Sequence, residues 1–274
     1  MTPRTILLLP AVMLAAIAAD AAAPSSGRPG PAQTRPAMPV DVHHVVPPLV
    51  DPQADAILRR MSEYVSSLKE FSITADATYD EVPEPGVQKL QFSRSLRVDV
   101  RRQDHLRSVV LGDDIHRAVW YDGRQLDVLD VARNVYCRIG TPPTIDAALE
   151  ELHARYGLSV PLADLLFTDA CEGMRKNVRT GRYVGLHRVG THNCHHLAFT
   201  QQNIDWQIWI DAGDHPFPRK LVIAHKNEPE WPQYCAVLHT WEISPRFADD
   251  HFRFEPPPGA VEADIEQQPI DGRR

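Results

Sequence analysis

From Thr191 to Ile223 the chain reads THNCHHLAFTQQNIDWQIWIDAGDHPFPRKLVI, in which apolar and polar residues alternate with a period of two. A pattern of that period over so long a run restricts the segment to strands with one buried face. His195, Leu197 and Phe199 are expected on one face of a first strand, and Ile204, Trp206, Ile208 and Ile210 on one face of the next, with a polar turn from Thr200 to Asn203. Asp211, Ala212, Gly213 and Asp214 close a second hairpin before a strand from Lys220 to Ala224. A curved apolar surface follows, and this stretch is expected at the sheet's centre. No reaction can be read from it.

Upstream, Arg4 precedes an uncharged apolar run from Ile6 to Ala19 and the small residues Ala21, Ala22 and Ala23. That three-part order predicts a signal peptide over 1–23 and a periplasmic mature chain. The run is shorter than the ~20 residues a membrane-spanning helix needs, and later apolar runs are broken by charge, so no transmembrane segment is expected in the mature chain. Eight prolines between Pro24 and Pro52, with few large apolar residues, predict a disordered linker over 24–51. Residues 52–260 are expected as one domain, read as monomeric, and 261–274 as a disordered tail. A net charge of −7 without a basic cluster argues against nucleic acid as a partner. Export permits disulfides; Cys137, Cys171, Cys194 and Cys235 allow three pairings, and at least one bridge is expected.

Asp51 followed by Pro52, then Ile57, Leu58, Met61, Val65 and Leu68 at three- and four-residue spacing, predicts an amphipathic helix ending near Lys69. From Phe71 the period changes to two, with a turn at Pro83 to Gly86. Further strands are expected at 90–100, 106–111, 115–121, 125–130 and 134–139, Asp122-Gly123 being the clearest hairpin turn. Short connections of this kind make an antiparallel meander and exclude the crossovers of a dinucleotide-binding sheet. A helical period returns at Ile145, Leu149, Leu152 and Tyr156, capped at Thr144 and closed at Gly157, and again at Leu162, Leu165 and Leu166. Strands are expected to resume after Cys171 and to finish with 234–243 and 252–254.

The one metal-like cluster is His192, Cys194, His195 and His196. Along a strand, His192 and His196 would stand roughly 13 Å apart on an outward, exposed face, so no shared metal is expected. No GxSxG, HExxH or phosphate-cradling glycine motif occurs, so no catalytic residues and no cofactor are assigned and a binding protein is expected rather than an enzyme.

Taken with this organisation, the strings CHHLAF, DWQIWI, PFPRKLVI, WYDG at Trp120 to Gly123, PLADLLF from Pro161 and the closing FRFEPPPGA carry a resemblance. From about Asp51 to Ala260 the chain resembles a family of uncharacterised, predicted periplasmic proteins (domain of unknown function 2092) in the superfamily of the outer-membrane lipoprotein carriers LolA and LolB. The resemblance implies an α+β fold: a LolA-like curved antiparallel half-barrel, an incomplete β-barrel whose concave face is covered by helices. In the carriers that cavity holds lipoprotein acyl chains. The expected partner is therefore an apolar ligand, a lipid or acyl chain. The candidate binding residues are Ile57, Met61, Leu165 and Leu166 on the helices, with Phe92, Trp120, Phe199, Trp206 and Ile208 on the strands. Two other readings stand beside this one: an envelope protein-interaction or stress-sensing module without lipid, and a metal-dependent enzyme built on His192 to His196.

Overall fold

The computed structural model describes residues 49–83, 86, 88–156 and 162–264; the signal segment, all but the end of the linker, Gly157 and the chain from 265 lie outside the described residues. The Asp51 carboxylate accepts the Gln53 N–H at 2.8 Å and so caps α1 (Pro52–Ser67), where proline's fixed φ suits the first turn. Leu58, Met61 and Val65 recur along one side of α1 and are buried.

The chain then lays down β1 (Glu70–Glu81), β2 (Leu90–Arg101), β3 (His105–Gly112), β4 (His116–Tyr121), β5 (Gln125–Asp130) and β6 (Val135–Gly140). Gly123 takes φ +84° in the expected β4–β5 turn. Next come α2 (Ile145–Tyr156), with the Thr144 hydroxyl accepting the Ala147 N–H, a 3-10 turn (Ala163–Leu165) and α3 (Ala170–Arg175). The second meander is β7 (Thr180–Val189), β8 (His192–Thr200), β9 (Ile204–Asp211), β10 (Pro218–His225) and β11 (Gln233–Ile243), and β12 (Val261–Glu262) follows. One sheet results, in the order β12-β6-β5-β4-β3-β2-β1-β11-β10-β9-β8-β7, antiparallel except at β12–β6. β7 and β12 stand at its two ends, so it is open, an α+β half-barrel rather than a closed barrel.

Five expectations are corrected. The alternating stretch is not central: β1 joins the two meanders through β2 and β11, while β8 lies next to the edge strand β7. A period of two reports a buried face and carries no information about position across a sheet. After Ala170 the chain makes another turn of helix, capped by Asp169, before the strands resume. Phe252 and Phe254 form no strand; they plug the outer face, and the paired structure extends past residue 260, with Ala263 buried. All four cysteines are free. Cys194 and Cys235 share the outer face, but three strand spacings, roughly 14 Å, separate β8 from β11, and a bridge needs Cα atoms within about 7 Å.

Inward residues of β1 to β6, inward residues of β7 to β11 and the buried sides of all the helices form one continuous apolar cluster. A sheet that wide can bring both halves onto the same helices only by curling around them. α1 is tied to the second meander, by Asp51 N–H to the Gly181 carbonyl and Tyr64 to His215 at 2.6 Å. α2 is tied to the first, by Ile145 N–H to the Gln103 carbonyl and the Tyr121 hydroxyl to the Pro142 carbonyl.

Candidate functional site

The concave face presents a row of apolar side chains in cross-strand register. Phe199 on β8 stacks on Trp206 of β9 at 4.2 Å; Trp206 opposes Ile223, Ile223 opposes Tyr234, Tyr234 opposes Tyr79, and Tyr79 stacks on Phe92 of β2 at 5.7 Å. Ile208 lies in the next row, opposite Leu197 and Leu221. Met61 and Leu166 are fully buried against this surface, Leu165 nearly so, and Ile57 packs at its margin. Eight of the nine expected residues therefore meet in one apolar layer between sheet and helices.

Trp120 does not join them. Tyr121 and Val119 take the inner face of β4, so Trp120 points outward and packs on Phe254 at 4.9 Å and beside Tyr136. Both faces of β4 are apolar because the C-terminal segment covers the outer one, so hydropathy alone could not set the phase.

The helical cover is fastened at one end of the sheet. Arg102, one residue past β2, donates from Nη1 to the Leu166 carbonyl at the close of the 3-10 turn, and its guanidinium lies 5.4 Å from the Phe71 ring centroid. Burial pushes the Arg102 guanidinium below its ordinary value, against the opposing pull of Asp146. Within the cover, the Ser62 hydroxyl accepts the Cys171 N–H at 2.8 Å, and Asp55 pairs with Arg175 at 2.7 Å, joining α1 to α3. A recess of about 460 Å³ beside α3 is lined by Arg59, Asp169, Cys171, Glu172, Arg175 and Lys176. Its mixed charges suit water rather than an apolar chain. Sequence reasoning passed over Arg102, although strand parity with Val98 and Val100 places it on the inner face.

The histidines divide by face. His195 points inward, within 3.2 Å of the Tyr183 hydroxyl, and burial with Arg60 nearby lowers its pKa. His192 pairs with Asp211 at 2.9 Å, while His196 meets His187 and Gln207, each at 2.9 Å, and stacks on Trp209 at 4.0 Å. The outer face here is covered rather than exposed: Cys194 and His196 are buried, and burial pushes the Cys194 thiol up to about 11 and lowers His196. Among the described residues no group of three or more His, Cys, Asp and Glu side chains could hold a metal ion, and no helix is long and apolar enough to cross a membrane.

A family model described as "Predicted periplasmic protein (DUF2092)" matches residues 54–266. No curated protein matches the chain. Among solved structures, the lipoprotein LppX of Mycobacterium tuberculosis is 15% identical, with 73% of this chain and 100% of that one covered at a TM-score of 0.45. LprF from Mycobacterium bovis is 13% identical, with 74% and 98% covered at 0.46. A LolA superfamily protein from Nitrosomonas europaea is 8% identical, with 73% and 96% covered at 0.36.

Proposed function

The chain belongs to the DUF2092 family of predicted periplasmic proteins, and from that premise we propose that it is a periplasmic binding protein that shelters an apolar chain, from a lipid or a lipidated protein, between its concave sheet and its helices. The observation that carries this reading is the single apolar layer shared by the inward rows and the helices, with the helices tied to the sheet by a few polar contacts at its margins. Lifting the helices would expose an apolar trough without breaking the sheet ladder. Each methylene of a ligand taken from water into that trough contributes ~0.8 kcal/mol, enough for a long acyl chain to outweigh the cost of ordering it.

Native mass spectrometry with lipid extraction, on protein exported and purified without detergent, tests the reading. The expected result is a reproducible added mass that resolves to phospholipid or acyl chain. A clean ligand-free mass that persists after incubation with lipid vesicles would overturn it and favour an envelope protein as the partner.

A further inference from the structure

Two arginines rise from the apolar side of the sheet. Arg94 on β2 opposes Ala77 of β1, and Arg117 on β4 opposes Val110 of β3, so both start from the face that carries the core. Arg94 is only 5% exposed. Its Nη2 lies 3.5 Å from the Asp114 carboxylate, its guanidinium covers the Tyr79 ring at 3.9 Å, and its Nε has no hydrogen-bond partner. The start of its side chain passes close to β3 because position 112 is glycine: a Cβ there would stand 2.8 Å from Arg94 Cγ and 2.6 Å from the Ser93 carbonyl oxygen.

Arg117 has no ion pair among the described residues. Asp130 faces it in register but is held by Arg133 at 2.7 Å, and Arg117 Nε lacks a hydrogen-bond partner too. Burial lowers its pKa, with Asp130 opposing that effect. The hydroxyl of Tyr234 is also buried without a partner, that of its cross-strand neighbour Tyr79 is buried close to Arg94 and Asp114, and the Arg94 charge acts on both tyrosines and on Arg117. Unmet donors of this kind are costly in a folded chain unless an acceptor completes them, and a guanidinium's planar fork suits the oxygens of a carboxylate or phosphate.

We propose that the ligand is an anionic amphiphile, an acyl chain ending in a carboxylate or phosphate whose head group is held by Arg94 and Arg117, with Tyr79 and Tyr234 donating. This rests on the apolar-carrier reading and gives its ligand a polarity and a direction. From Tyr79 the row through Tyr234, Ile223 and Trp206 to Phe199 crosses four strand spacings, roughly 19 Å of apolar surface for the chain.

Equilibrium dialysis of delipidated protein with radiolabelled oleate, 1-oleoyl lysophosphatidate and oleyl alcohol, each below its micelle concentration or solubility limit, tests it. At least one anionic probe is expected to bind about tenfold or more tighter than the alcohol, the scale of one charge-assisted hydrogen bond. Preference for oleate identifies a free fatty acid, and preference for lysophosphatidate a phospholipid. Arg94→Gln and Arg117→Gln should each erase that preference while alcohol binding stays within about twofold, which also shows that the variants fold. Equal binding of all three probes by the unmodified protein overturns the head-group site and leaves the apolar carrier standing. Binding of none overturns both. A variant that loses all three alike assigns the arginines to the fold and overturns the proposal.

Discussion

Arg94, four residues into β2, and Arg102, one residue past its end, project onto the same face roughly 26 Å apart along an extended strand and meet different partners. Arg102 donates to the Leu166 carbonyl and ties sheet to helices. Arg102 leaves its Nε and Nη2 without partners beneath the helices, whereas Arg94 faces Asp114 through Nη2 and leaves only Nε unmet, beside Tyr79. The contrast teaches that a guanidinium on an apolar face takes its role from its surroundings: a backbone carbonyl of the cover at one site, a carboxylate and an aromatic ring at the other. One end of the trough is closed by the protein's own backbone. At the other, the Nε atoms of Arg94 and Arg117 and the Tyr234 hydroxyl stay unmet, where the head group is proposed to sit.

That contrast can be broken or sharpened. At the fastened end, Leu166→Ala should cost about 2–5 kcal/mol of stability in chemical denaturation, since a fully buried side chain leaves a cavity between turn and sheet. A loss below ~1 kcal/mol would mean that the turn is not seated on the core. Arg102→Met should act locally: losing one charge-assisted donor of ~1.5–3 kcal/mol should speed amide hydrogen exchange across the 3-10 turn and α3 about tenfold or more, with β1 and β11 unaffected. Uniform exchange across the molecule would remove the distinction between cover and sheet. At the other end the sign reverses. Arg117→Met removes a largely buried charge that lacks an ion pair and should raise the ligand-free protein's stability by about 1 kcal/mol, read as a higher denaturation midpoint at unchanged slope. A destabilised variant would return Arg117 to a structural role.

Much of this was legible before any coordinates. The cap at Asp51, the stripe Leu58, Met61 and Val65, the turn at Gly123 and the inward set Trp206, Ile208 and Ile210 follow from local chemistry and period, and each lies where the pattern placed it. Trp120 misled because its strand is apolar on both sides, one against the core and one against Phe254. The cysteines misled because permission to oxidise says nothing of proximity. Arg94 and Arg117 went unread because an arginine between strand residues looks like a solvated position. Strand parity with Leu96 and Val98 was the signal for Arg94, whereas for Arg117, on a strand apolar on both faces, only the pairing with Val110 reveals the core side.

By itself the sequence determined where most helices and strands lie and which side of most strands is apolar, because these depend on neighbours within a few residues. Only the tertiary structure decided that β1 rather than β8 lies at the centre, that the C-terminal segment seals the outer face, and that Arg94 lies over Tyr79 beside Tyr234. Those facts depend on strands far apart in the chain becoming neighbours. The register that brings them together is set by the whole sheet curling around its helices, and no local period encodes it.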